Sequence, residues 1–175
     1  MTLAAVQNAC ADMISGVVVA NHPNSIQSFV IPPDYDTIDR PTVVLLATKW
    51  DERREAGPRQ GETGANPNYT GKYVTYEMSI TAINIYDPET IDRSDFATLV
   101  HTIQQVYQGN VAQANGQIVS LPMEITDPVS GETSWITSIG ENWHADQFQF
   151  AAMEEGSSLW GQCEIVMSVE EQATG

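Results

Sequence analysis

The chain has 175 residues, 42% of them hydrophobic, which suits one folded domain with a real core. Twenty-three acids against seven bases set the formal charge at -16, so most of the surface repels nucleic acid. No apolar run reaches the roughly eighteen residues of a membrane-spanning helix, and the N-terminal residues do not show the basic start and apolar run of a secretion signal.

Residues 3–15 are predicted to be helical. Leu3, Val6, Cys10, Met13, Ile14 and Val17 recur at spacings of three and four, which makes one apolar stripe. Thr2 is the expected cap and Gly16 the expected stop. Residues 17–20 read as a short strand or an exit segment, and His22-Pro23-Asn24 as a turn, with His22 a plain surface or turn residue. Residues 26–31 close on Pro32-Pro33 and are followed by Asp34, Asp36 and Asp39. They are expected to wrap the surface and not to form a central strand.

Residues 42–50 are predicted to form a strand. Val43, Val44, Leu45 and Leu46 are continuous, so both faces are expected to be covered there. The character then changes. Arg53, Arg54, Arg59 and, at the far edge, Lys72 intersperse with Asp51, Glu52, Glu55 and Glu62, while Gly57-Pro58, Gly61, Gly64, Asn66-Pro67 and Gly71 break regular structure. Unpatterned loops of this length are uncommon in compact domains. Residues 51–72 therefore read as an extended arm between two antiparallel strands, ordered on contact with a neighbour.

Residues 73–87 are the strand around which the rest is organised. Val74, Tyr76, Met78, Ile80 and Ala82 fall on one face, and Thr75, Glu77, Ser79 and Thr81 on the other. The parity changes at Ile83 and Ile85, which predicts a bulge there. Asp92 or Ser94 then caps a helix over residues 95–108, with Asp95 favourable in its first turn and Gly109-Asn110 as its stop. Its stripe is Phe96, Leu99, Val100, Ile103, Val106 and Tyr107, and His101 lies at the boundary of that stripe.

Residues 117–126 resemble a strand near an edge, broken by Pro122. Residues 127–131 turn the chain back into a strand at 133–139. Residues 143–152 fit either a strand or a helix. Residues 159–169 are the last strand, with Trp160, Cys163, Ile165, Met167 and Val169 in partial alternation, and 170–175 read as a polar, frayed tail. The expected class is α+β: a mixed, mainly antiparallel sheet with two packed helices and a long inter-strand arm, all in one domain over residues 1–169.

Chemistry is sparse. Cys10 and Cys163 match no metal or redox spacing and read as small buried thiols in a reducing compartment. His22, His101 and His144 sit in unrelated contexts. Trp143-His144-Ala145-Asp146 has no third ligand spaced for it, and Glu154-Glu155 are neighbours that do not share a face. Asp34, Asp36 and Asp39 lack the glycine and terminal glutamate of a calcium loop. There is no phosphate loop, nucleophile elbow or zinc-protease pattern. No catalytic residue, metal or cofactor is assigned, and a non-enzymatic role is expected. Trp50, Trp135, Trp143 and Trp160 read as anchors of a core or an interface.

The order helix 3–15, strand 42–50, charged arm 51–72, strand 73–86 and helix 96–107 resembles the tail terminator proteins of long-tailed phages. Residues 26–40 and the hairpin at 127–131 depart from that pattern. The resemblance implies a ring, usually hexameric, that caps the tail tube, stops its polymerisation and joins it to the head. It implies a place in the virion at the head-proximal end of the tail, after assembly in the host cytoplasm, with tail tube and neck proteins as partners and no membrane. DNA would pass through the lumen without specific binding.

The charge distribution is compatible with a ring. The bases are concentrated between Arg40 and Arg93, and beyond Tyr73 there is one base, Arg93, against fifteen acids. Two different patches that meet head to tail are what a ring subunit needs. The expected subunit or partner contacts are Arg53, Arg54, Arg59, Lys72, Trp50 and Tyr69. The alternatives are a neck, head-tail connector or tail tube protein of related fold, or an unrelated acidic protein-binding domain.

Overall fold

The structure, a computed structural model, describes residues 2–20, 22, 24–56, 69–86, 93–109, 121–152 and 159–173. The elements in chain order are helix α1 (Leu3–Ile14), strand β1 (Gln27–Phe29), a single 3-10 turn (Tyr35–Thr37), β2 (Thr42–Ala56), β3 (Tyr69–Tyr86), helix α2 (Arg93–Tyr107), β4 (Met123–Thr126), β5 (Thr133–Ala152) and β6 (Leu159–Ala173). Among the described residues the strands form one six-stranded sheet in the order β1-β2-β3-β6-β5-β4. β1 runs parallel to β2 and every other pair is antiparallel. The class is α+β. The long alternating strand β3 lies inside the sheet, between β2 and β6.

One face of the sheet carries the core. Register pairs Leu45 with Ile80 and Ile80 with Ile165, and Ala47 with Met78 and Met78 with Met167. Paired residues share a face, so these side chains form apolar rows. α1 lies against β1, β2 and β4, α2 lies against β3 and β5, and the two helices touch. The predicted stripes are the buried ones: Val6, Cys10, Met13 and Ile14 on α1, and Phe96, Leu99, Ile103, Val106 and Tyr107 on α2. The Tyr107 hydroxyl donates to the Cys10 carbonyl at 2.7 Å and ties the helices together. His101 is exposed. Among the described residues no helix is long and apolar enough to cross a membrane.

Both helix ends depart from expectation. Thr2 makes no side-chain cap on α1; its hydroxyl donates to Asp127 Oδ2 at 2.6 Å and its N–H to the same oxygen at 2.9 Å. α2 begins at Arg93, two residues early, and Asp92 lies outside the described residues. Gly16, with φ of 79°, leads out of α1, and its N–H donates to the Ile26 carbonyl. Val17 and Val19 are buried in the following excursion while Val18 points out.

The arm is not irregular at its base. β2 and β3 stay paired through Asp51↔Thr75, Arg53↔Tyr73, Arg54↔Lys72 and finally Ala56↔Tyr69. Strand pairing therefore orders 51–56 and 69–72 within the single chain, against the expectation that they wait for a neighbour. Residues 57–68 lie outside the described residues.

The expected bulge at Ile83 and Ile85 is also corrected. β3 pairs without a register shift there, and Ile83 is buried because the sheet's second face is covered at that end, where Thr42 and Val44 are buried too. The bulge is in β2, between Ala47 and Lys49. In β5 the expected stop at Gly140 is instead a register irregularity: Gly140 takes φ of 81° and the strand continues to Ala152. The ambiguous segment 143–152 is strand. The tail expected to fray from residue 170 is β6 as far as Ala173, and Glu171 in it is 1% exposed.

Candidate functional site

The site begins with the bulge. Thr48 is the extra residue of β2, and its hydroxyl lies 3.2 Å from both the Glu77 carbonyl and Glu77 Oε1. One unpaired residue exchanges the faces of everything that follows. Upstream, Val43, Leu45 and Ala47 face the core; downstream, Trp50 and Glu52 do, opposite Tyr76 and Val74. A straight ladder would have put Lys49 and Asp51 on that face.

The next row continues across the sheet as Glu52, Val74, Glu171 and Ile136. Above these rows is a cleft of about 220 Å³. Trp50, Glu52, Lys72, Val74, Tyr76 and Glu171 line it, and Leu3 of α1 closes one side. Its floor is apolar and its walls are charged. Trp50 is 64% exposed, whereas Tyr76 beside it is buried.

Glu171 is the least expected member. The Tyr76 hydroxyl donates to its Oε2 at 2.7 Å and the Ser134 hydroxyl to its Oε1 at 2.5 Å. Both donors are buried, so the carboxylate is held by two neutral hydroxyls from different strands. Burial pushes the Tyr76 phenol well above its ordinary value, and its hydrogen bond to Glu171 and that carboxylate's charge push the same way. Lys72 Nζ meets Glu52 Oε2 at 3.0 Å at the more open end.

The expected contact residues divide between the two faces of the ribbon. Trp50 and Lys72 come together at the cleft. Arg53 is on the other face, with its guanidinium 5.6 Å from the centre of the Tyr73 ring. Arg54 pairs with Lys72 and Tyr69 with Ala56 along the ladder, and their side chains are outside the described residues, as is the whole of Arg59. Lys72, expected to meet acid on another subunit, already has an acid of its own chain.

Sequence reasoning missed Glu52, Tyr76, Ser134 and Glu171 as a group. One signal was available for Glu171: it continues the odd-numbered alternation of Cys163, Ile165, Met167 and Val169.

The remaining candidates are structural. Among the described residues no group of three or more His, Cys, Asp or Glu is placed to hold a metal ion. His144 is exposed and Trp143 packs on the core. His22 is half-buried in a turn, its N–H donating to the Val19 carbonyl, and its Nε2 lies 3.1 Å from Asn84 Nδ2. Asp127 accepts the two Thr2 donors on Oδ2 and the Val129 and Ser130 N–H groups on Oδ1, so it clamps the start of α1 to the β4–β5 turn. No family model and no curated protein matches the chain.

Proposed function

We propose that the chain is a structural subunit that forms a ring at the head-proximal end of a phage tail, as a tail terminator. The observation that carries this reading is the β2–β3 ribbon. Among the described residues Lys72↔Ala173 is the last pair that ties β3 to β6; Arg54 lies level with it, and the ribbon continues beyond it through Glu55↔Gly71 and Ala56↔Tyr69. A paired ribbon with an exposed tryptophan at its base and a cleft beneath is a surface built for another protein. The helix, strand, arm, strand, helix order supports the same reading, as does the strong acidity of the chain beyond Tyr73, which lets DNA pass without sticking.

The role assigned to the chain is assembly, not chemistry: the ring caps the tube, stops its growth and offers a second surface to the neck. Sedimentation of the purified chain together with its tail tube protein tests this. A closed ring that binds one tube end and limits tube length is expected. A chain that stays monomeric at all concentrations rejects it. Stoichiometry in purified particles separates the terminator from a tube protein, since the tube holds many stacked rings and the terminator one.

A further inference from the structure

Strand β2 has an outer edge that β1 covers only in part. β1 pairs with it over Thr42, Val43 and Val44, and Gln7 Nε2 donates to the Leu45 carbonyl just beyond. From Leu46 onward no strand is paired to that edge among the described residues, and Leu46, Thr48, Lys49, Trp50 and Asp51 are all exposed. The Pro41 carbonyl accepts from the Gln27 N–H and the Leu45 carbonyl from Gln7, so alternate residues from Pro41 turn their main-chain groups to this edge. The bulge at Thr48 shifts the alternation by one. The N–H and C=O of Trp50 therefore point outward, while those of Lys49 and Asp51 face Glu77 and Thr75 of β3. An edge of this kind is a template for another strand.

The charges beside Trp50 select the strand. Lys49 and Asp51 flank it on the other face of the sheet, and among the described residues no ion pair engages either of them. Glu77, the cross-strand neighbour of Lys49, is met by the Thr48 hydroxyl. Two copies of β2 paired antiparallel about Trp50 set Trp50 against Trp50 and each Lys49 against an Asp51. The tryptophans then exchange both main-chain hydrogen bonds, their exposed indoles meet, and two opposite-charge pairs form. Symmetric pairing one residue to either side sets Lys49 against Lys49 or Asp51 against Asp51, which is repulsive. Lys49-Trp50-Asp51 is thus complementary to itself in one register. We propose that the outer edge of β2 is a twofold contact surface for a second copy of this chain, centred on Trp50. The contact does not rest on the ring reading: a twofold contact joins two copies and stops, whereas a ring needs a head-to-tail one.

The test uses the full chain, and the altered residues are exposed, so the variants keep the fold. Trp50→Cys should give a disulfide-linked dimer on mild oxidation, because facing Cα atoms about 5.5 Å apart are within reach of the bond. Val129→Cys, 91% exposed at another place, should not, and the native Cys10 and Cys163 are buried. Lys49→Asp should weaken association about tenfold, since the symmetry changes two pairs at once. Asp51→Lys should do the same, and the two together should restore it. A single reversal without effect, a double reversal that fails to restore, or equal cross-linking of Trp50→Cys and Val129→Cys overturns the contact. Sedimentation of the unmodified chain reads the ring separately. A ring in which Trp50→Cys does not cross-link keeps the ring and rejects the twofold contact. A dimer that cross-links and grows no further keeps the contact and rejects the ring.

Discussion

Trp50 and Tyr76 are cross-strand partners on one face of the sheet, yet Trp50 is 64% exposed and Tyr76 only 4%. The boundary between core and cleft runs between them. Tyr76 belongs to the core through its ring and reaches Glu171 through its hydroxyl, so it carries the packing of one region into the polar chemistry of the next.

Tyr76→Phe should therefore cost stability without disturbing the core. A hydrogen bond to a charged acceptor is worth about 1.5–3 kcal/mol, and urea unfolding should show a loss in that range. Glu171→Ala should cost more, because it strands two buried hydroxyls at once. If the Tyr76→Phe and Glu171→Gln losses simply add in a double-mutant cycle, the buried bond contributes nothing of its own.

Alkali should destabilise the fold. Burial pushes the Cys10 thiol from 9.0 up to about 12, and it pushes the Tyr107 and Tyr76 phenols above their ordinary 10.0. Between about pH 9 and 12 the unfolded chain releases protons that the folded chain retains, so stability falls as pH rises through that window. Urea midpoints across it should decline, and Cys10→Ala should make the first part of the decline shallower. The native thiol should also resist alkylation at neutral pH and react once the chain is unfolded.

Asp127 sets the opposite limb. The Thr2 hydroxyl first, then the Val129 and Thr2 N–H groups and that of Ser130, hold its carboxyl far below the usual 3.8. The unfolded chain takes up a proton near 3.8 while the folded chain does not. Its contribution is complete above that value and is lost as pH falls through the folded value. Asp127→Asn should flatten the acid limb of the stability curve and raise amide exchange at the start of α1. An unchanged acid limb would show that the clamp does not hold in solution.

The base of the arm should resist trypsin. Arg53 and Arg54 lie on a paired strand, and cleavage needs local opening. Cleavage after these two residues should be slow in the free chain and in any assembly. Rapid cleavage after Arg53 in the free chain would mean that the ladder opens readily there.

Reversing Arg53 and Arg54 together to Glu should weaken association, most at low salt where screening is least. Single exposed pairs are worth only about 0–1 kcal/mol, so the double change is the informative one. Sedimentation across a salt series reads it. Unchanged assembly at low salt, together with loss in the double variant of a DNA binding that the wild type shows, would move the arm's role from subunit contact to nucleic acid.

The parts legible in the sequence are those that local periodicity decides. Val6, Cys10, Met13 and Ile14 could face only one way on a helix, as could Phe96, Leu99, Ile103 and Val106, and the alternation from Val74 to Ala82 could be satisfied only by a strand with one buried face. Tertiary structure decided where that logic stops. Ile83 looked like a bulge because the sequence does not say that a second face is covered. The true bulge at Thr48 was invisible because it exists only as a mismatch between two strands. Gly140 could end a strand or bend it, and only the pairing of its neighbours Ile139 and Glu141 with β6 chose. Glu171 read as tail because a buried carboxylate needs donors, and its donors, Tyr76 and Ser134, lie 95 and 37 residues away. Burial of an apolar side chain is settled by its own chemistry and spacing, whereas burial of a charge is settled by partners that only the fold brings together.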